Sequence, residues 1–242
     1  MNTHIKTPPA VVLRNISRGF RGKTVLEHIS LEIPQGQFVS LLGESGSGKT
    51  TLLRALAGLD DDAETEGHFV VPVSMSVLFQ DSRLLPWMKV LDNVTLGLRR
   101  PDPAEAARAM LEAVGLGDKA DVWPATLSGG QKQRASLARS LLREPELLLA
   151  DEPFGALDAL TRMRMHALLF RLIETRRPTV ILVTHDVDEA LLLSDRILVL
   201  KDGRIAEDHA VDLPHPRRTR LDKFTALRQR LLQSLGVEGN AL

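Results

Sequence analysis

Short, nearly uninterrupted apolar runs alternate along this chain with longer stretches of helical period, an order that predicts buried strands separated by helices. The runs are Phe38-Val39-Ser40-Leu41-Leu42, Met75 to Phe79, Leu147-Leu148-Leu149-Ala150 and Thr179-Val180-Ile181-Leu182-Val183-Thr184. Strands of this kind belong in a parallel sheet covered on both faces. From Val11 to Leu42 the pattern differs. Leu26, Ile29, Leu31 and Ile33 alternate with polar residues, and turns fall at Arg21-Gly22-Lys23 and Pro34-Gln35-Gly36, predicting an antiparallel sheet that leads into the strand at Phe38.

Helical spacing predicts a helix over Thr51–Ala57 closed by Gly58, one over Pro103–Val114 ended by Gly115, and one from Gln131 to about Leu142 stopped by Glu144-Pro145. Met165, Leu168, Leu169, Leu172 and Ile173 form the core-facing stripe of a further helix. Arg196–Lys201, Asp202-Gly203 and Arg204–Glu207 read as a hairpin. Beyond Asp212 a Pro214-His215-Pro216-Arg217-Arg218 linker precedes a helix carrying Phe224, Leu227, Leu231 and Leu235. The run Asp60-Asp61-Asp62-Ala63-Glu64-Thr65-Glu66 reads as a solvated acidic loop. Between about Asp81 and Leu127 the pattern turns helical, which marks a change of subdomain.

Candidate chemistry begins at the end of the Phe38 strand. Gly43-Glu44-Ser45-Gly46-Ser47-Gly48-Lys49-Thr50 fits the phosphate-loop pattern, with a strand before it and a helix, starting near Thr51, after it. Glycines let backbone N–H groups turn inward around phosphate oxygens, and the helix N-terminus adds favourable partial charge. Lys49 would reach the β- and γ-phosphates of a nucleotide, and the Thr50 hydroxyl would hold Mg²⁺. The loop alone does not separate kinases, GTPases, motors and transport ATPases.

Composition narrows the class. At 242 residues the chain has room for one sizeable α/β domain with a smaller subdomain, and so for one nucleotide site. Its 31 basic and 31 acidic residues balance, which gives no electrostatic case for binding nucleic acid. It has no cysteine, hence no disulfide or thiolate metal site. The N-terminal Met1-Asn2-Thr3-His4-Ile5-Lys6-Thr7-Pro8-Pro9 is polar, and no stretch approaches the roughly 20 apolar residues of a membrane span. The expectation is a soluble, cytoplasmic protein whose membrane role comes through a partner.

The second strong signal is Leu127-Ser128-Gly129-Gly130-Gln131-Lys132-Gln133-Arg134. Ser128, Gly129 and Gly130 open a helix and so offer N–H groups, a hydroxyl and a positive helix end to an anion. With this stretch the chain resembles the nucleotide-binding subunit of ATP-binding-cassette (ABC) transporters over nearly its whole length, with the motifs in order.

The resemblance implies an α/β fold: a phosphate-loop, RecA-like core with an antiparallel β subdomain and an inserted α-helical subdomain. Residues 1–80 and 135–208 would form the β subdomain and core, 81–134 the helical subdomain, and 209–242 a C-terminal linker and helix. It also implies that Ser128, Gly129, Gly130 and Gln131 meet the ATP held by a second copy, so that two chains sandwich two nucleotides head to tail. Asp151, at the end of a buried strand, would bind Mg²⁺ and Glu152 would polarise the attacking water. Pro153 and Gly155-Ala156-Leu157-Asp158 continue the family pattern, with Asp158 linking the two sites. His185 resembles the γ-phosphate switch histidine. Gln80 would touch Mg²⁺ and the water, and Phe20 would stack on adenine.

Phe79-Gln80-Asp81-Ser82-Arg83-Leu84-Leu85-Pro86-Trp87 with Asp92-Asn93-Val94 resembles the ATPases of nitrate, sulfonate and taurine importers, the aliphatic sulfonate type above all. Leu84, Leu85 and Trp87 would then face the coupling helix of a permease, or else pack their own subdomain. Expected partners are a second copy, two integral-membrane permease subunits and, indirectly, a substrate-binding protein. The expected place is the cytoplasmic face of the inner membrane. The stretch between Gly58 and Gln80 is shorter than usual for the family, and the tail after Glu207 is too short for the long regulatory domain of some sugar and metal importers.

Two rival classes explain less. DNA-repair or chromosome-organising ABC ATPases insert long coiled coils between phosphate loop and signature, whereas the stretch from Thr51 to Leu127 is short and carries no heptads. A generic phosphate-loop kinase or GTPase leaves Leu127–Arg134 unexplained.

Overall fold

A computed structural model describes residues 9–213, 217 and 221–236. In chain order the elements are β1 (Pro9–Phe20), β2 (Lys23–Pro34), β3 (Phe38–Leu42), α1 (Lys49–Leu56), β4 (Glu64–Val70), β5 (Met75–Phe79), α2 (Val90–Thr95), α3 (Pro103–Ala113), α4 (Gly129–Leu142), β6 (Leu147–Asp151), α5 (Ala159–Arg176), β7 (Thr179–Val183), α6 (Val187–Leu193), β8 (Arg196–Lys201), β9 (Arg204–Ala210) and α7 (Leu221–Ser234). The chain divides into two compact bodies, Met1–Val73 with Thr179–Leu242, and Ser74–Pro178.

In the first body β1 lies between β2 and β4, antiparallel to both. The step from Leu26 to Ile29 breaks strict alternation, yet both side chains are buried. Irregularities in the β1–β2 register absorb the extra residue, and Asn15 and His28 take positive φ of 51° and 52° beside them. A second sheet section sets β3 between β7 and β8, parallel to both, with β9 antiparallel on β8. Strands β3 and β7 are buried at every residue, as their continuous apolar runs require. The C-terminal helix packs on its own body: Phe224 and Leu231 bury against Leu42, Val187, Ala190 and Leu191. Arg217, 3% exposed, donates to the carbonyls of Leu191 and Ser194 and to Asp195, closing the end of α6. The rest of the Pro214–Arg218 linker, and residues 1–8 of the polar N-terminus, lie outside the described residues.

One expectation is corrected here. Asp60 is not solvated: its side chain is 7% exposed, held between Arg18 and Arg54. Glu64 to Glu66 are exposed but belong to β4, which the ladder to β1 holds in place of an apolar face.

In the second body β5 and β6 pair in parallel, with Phe79 opposite Asp151. Helices α2, α3, α4 and the turns between them bury Val90, Val94, Leu111, Val114, Leu127 and Leu142 in one cluster, against which Leu168 and Leu172 of α5 also pack. Leu84 packs on the same cluster, so for this residue the packing role holds. Trp87 is 70% exposed and Trp123 48%. The loop that carries Trp87 is shaped by Asn93, which is fully buried: its amide accepts from Leu85 N–H and donates to the carbonyls of Leu85, Met88 and Lys89. Among the described residues no helix is long and apolar enough to cross a membrane.

Candidate functional site

The phosphate loop leaves β3 at Leu42 and enters α1 at Lys49. Gly46 and Gly48 adopt φ of 83° and 101°, and between them Ser47 N–H donates to the Glu44 carbonyl at 3.2 Å, closing a tight turn. A Cβ at Gly48 would stand 2.7 Å from Leu26 Cδ2 and 3.2 Å from the Val25 carbonyl, and one at Gly43 only 2.3 Å from the Leu200 carbonyl. The loop is thus pressed onto β2 and the β8–β9 hairpin, where Gly203 N–H also donates to the Ser47 carbonyl at 3.2 Å. The Lys49 ammonium, 6% exposed, donates to the carbonyls of Gly43 and Glu44 at 2.7 and 2.8 Å and so stands inside the loop. Thr50 is exposed, Thr51 half-buried, and Glu44, Ser45 and Gly46 face solvent.

These features fit a phosphate group. Ser47 Oγ is buried and has no hydrogen-bond partner among the described residues. Leaving a hydroxyl so costs about 1–3 kcal/mol, which a bound anion or water would offset. His185 leaves the same sheet edge as Gly43: Leu41 pairs with Val183, and Thr184 N–H donates to the Leu41 carbonyl at 3.2 Å. His185 is exposed at the start of a tight turn whose next residue, Asp186, caps α6 by accepting from Asp188 and Glu189 N–H. Phe20, half-buried, ends β1 beside the Arg21-Gly22 turn.

In the second body the parallel register of β5 and β6 sets the residues that follow them, Gln80 and Glu152, at one strand edge with Asp151. Gln80 is exposed, whereas Asp151 and Glu152 are half-buried. A Cβ on Gly155 would stand 3.4 Å from Gln80 Nε2 and 3.7 Å from Glu152 Oε2, so both side chains converge on that glycine. Glu152 has φ of 43°, a left-handed conformation that costs a non-glycine residue on the order of 1 kcal/mol and commonly marks functional turns. Phe154, 1% exposed and edge-on to His166 at 5.0 Å, anchors the turn beneath it. Thr50, Gln80 and Asp151 all offer oxygen, the donor type a hard cation such as Mg²⁺ takes.

The signature begins α4 with a reciprocal cap. Ser128 Oγ accepts from Gln131 N–H at 3.3 Å, and Gln131 Oε1 accepts from Ser128 N–H at 2.9 Å. The helix therefore starts at Gly129, two residues before the sequence-based start. Gly130 packs close to α5, where a Cβ would stand 2.8 Å from Thr161 Cγ2. Asp158 caps α5, and its hydrogen bonds from Thr161 hold the carboxyl below the usual aspartate range. Ser128 to Gln131, Asp158 and Arg164 line one open groove of about 910 Å³. Sequence reasoning missed Gln133, 3% exposed, whose Nε2 donates to the Phe79 carbonyl at 2.9 Å and ties the signature helix to the strand that carries Gln80. A glutamine on the apolar side of a helix was the available signal.

The sequence profile described as ABC transporter matches residues 26–155, more than half of the chain. The chain belongs to the ABC transporter family. Its members of known name and high identity include the aliphatic sulfonates import ATP-binding protein SsuB 1 of Paracoccus denitrificans (strain Pd 1222), 68% identical over 98% of each chain. The aliphatic sulfonates import ATP-binding protein SsuB of Delftia acidovorans is 68% identical over 95% of each. Among solved ABC structures, the dimeric post-hydrolysis state of the cassette MJ0796, bound to ADP and Pi, superposes with a TM-score of 0.73. It is 31% identical, covering 83% of this chain and 98% of that one. This ABC protein is thus an ATPase coupled to transport, with a nucleotide-binding α/β core.

Proposed function

We propose that the chain is the ATP-hydrolysing subunit of an importer for aliphatic sulfonates, working as a head-to-tail dimer on two permease subunits at the cytoplasmic face of the inner membrane. The observation that carries the substrate is full-length identity of 68% to a protein named for aliphatic sulfonate import. The MJ0796 dimer supports the pairing of two copies. A substrate-binding protein would deliver the sulfonate. The domain assignment follows the family: core and β subdomain over 1–80 and 135–208, helical subdomain over 81–134, and tail over 209–242.

In this mechanism Gly43 to Thr51 hold the triphosphate, Lys49 lies against its β- and γ-oxygens, and Phe20 stacks on the base. Glu152 orients and polarises the attacking water, and His185 donates to charge developing on the γ-phosphoryl group. Ser128, Gly129, Gly130 and Gln131 present a capped helix N-terminus to the nucleotide of the other copy. Thr50, Gln80 and Asp151 would hold Mg²⁺, which supplies neutralisation of phosphate charge. Exposed Trp87, with Leu85, would face the permease.

The test is deletion followed by growth on alkanesulfonates as sole sulfur source, in a strain with no second importer of that class. Growth should fail there and persist on sulfate. Unimpaired growth on sulfonates removes the substrate assignment, while sulfonate-stimulated ATPase activity of the complex reconstituted with its permease supports it. If taurine or nitrate stimulates in place of alkanesulfonate, the cargo is that anion.

A further inference from the structure

Asp60 is a buried carboxylate for which the nucleotide chemistry above has no task. It follows the phosphate-loop helix, and its side chain is 7% exposed. Arg54 Nε and Nη2 both lie 2.7 Å from Asp60 Oδ1. Arg18, itself 6% exposed, donates from Nη2 to the Asp60 carbonyl at 2.8 Å and from Nη1 to Thr65 Oγ1 at 2.9 Å, with Nη2 3.7 Å from Asp60 Oδ2. Among the described residues Arg18 Nε is buried without a hydrogen-bond partner.

The three residues come from different places. Arg54 is in the last turn of α1, the helix that begins with Lys49. Arg18 is on β1, two residues before Phe20, and its Cα partner on β4 is Thr65. Asp60 therefore ties the far end of the phosphate-loop helix to the strand that ends in Phe20. It is bonded through its carboxylate to Arg54 and through its carbonyl to Arg18, with the carboxylate charge 3.7 Å from the Arg18 guanidinium. Stability alone does not explain such a group, because a buried ionic cluster is often no better than apolar residues of similar volume. Short charge-assisted hydrogen bonds do something apolar packing does less well, which is to fix distances and angles between the elements they join.

We infer that Asp60 is a positioning residue for nucleotide binding: with Arg18 and Arg54 it sets where the base platform at Phe20 stands relative to the phosphate loop. The inference rests on the proposed reading of Phe20 as the adenine stacker. It assigns the cluster an effect on the base-dependent part of affinity and none on the phosphate-dependent part.

The two parts separate by ligand. Binding of ATP and of inorganic tripolyphosphate, which has no base, is measured by calorimetry on the full chain, with thermal unfolding as the control for folding. Asp60→Asn should weaken ATP by about tenfold, the scale of one charged hydrogen bond, and leave tripolyphosphate within about twofold. Phe20→Ala should give the same one-sided loss. Arg54→Gln, at a half-exposed position that keeps the fold if Asp60→Asn does not, should give a smaller loss in the same direction. Equal loss on both ligands, or none on ATP, in the folded variant overturns the inference while Phe20→Ala still tests the platform. If Phe20→Ala leaves ATP binding unchanged, the platform reading fails and the inference falls with it.

Discussion

Replacing Ser128 separates two jobs that one hydroxyl performs. As N-cap of α4 it accepts from Gln131 N–H, and as the second residue of the signature it is proposed to face the partner's γ-phosphate. Ser128→Ala removes both and should cost about 1 kcal/mol of stability together with most activity. Ser128→Asp is the informative change. Aspartate caps a helix about as well as serine and suits the positive helix end, so stability should stay within about 0.5 kcal/mol of the parent. The same carboxylate would stand against a polyanion. Two unit charges about 4 Å apart at an effective dielectric near 20 repel by about 4 kcal/mol, on the order of a thousandfold in rate. Denaturant unfolding of the free subunit and ATPase turnover of the complex with its permease are the two assays. A Ser128→Asp protein that is stable and hydrolyses at the parent rate would refute the placement of the signature against nucleotide. One that is less stable than Ser128→Ala would refute the cap argument.

Glu152→Gln should bind ATP, turn over at least a hundredfold more slowly, and accumulate as a dimer on size-exclusion chromatography with ATP and Mg²⁺; normal hydrolysis would remove Glu152 from the chemistry. Lys49→Ala should abolish ATPase activity with an unchanged circular-dichroism spectrum, and retained turnover would sink the phosphate-loop assignment. Leu231→Ala empties a fully buried site shared with Leu42 and Leu191, and should cost about 3 kcal/mol in denaturant unfolding; a loss below about 1 kcal/mol would contradict the packing of α7. Hydrogen bonds from Arg196 hold the Asp208 carboxyl below the ordinary aspartate range. Its contribution is therefore present at neutral pH and lost as pH falls through that lowered value. Asp208→Asn should be less stable by about 1 kcal/mol or less at pH 7 and equal to the parent in strong acid, and a deficit that grows on acidification would reverse the sign.

Much of this architecture was legible because local and long-range signals agree. Strands β3 and β7 read as buried since every residue in them is buried, and the phosphate loop is recognisable because the backbone itself makes the site. The cap of α4 was also present as Ser128-x-x-Gln131, although the helix was expected to start only at Gln131. What escaped the sequence were polar residues buried by distant partners. Asp60 stands in an acidic run that looks solvated, and only the meeting of Arg18 with Arg54 takes it out of water. Asn93 and Gln133 spend their amides on backbone carbonyls of other segments, which no periodicity reveals. The positive φ of Glu152 was hidden for a similar reason, since the turn is held by Phe154 beneath it and not by a glycine.

The placement of the aromatic side chains gives this protein a built-in optical label. It has two tryptophans and no tyrosine, and both tryptophans belong to the Ser74–Pro178 body. Intrinsic fluorescence therefore has no emitter of either kind on the body that carries the phosphate loop, and any change in it reports on the helical body. Trp87 and Trp123 are also wet enough to emit at long wavelength and to be quenched by iodide. Trp123→Phe leaves a lamp on the surface proposed to meet the permease, and Trp87→Phe leaves one five positions before Ser128. Steps of the transport cycle that change the surroundings of either tryptophan could then be timed without attaching a dye.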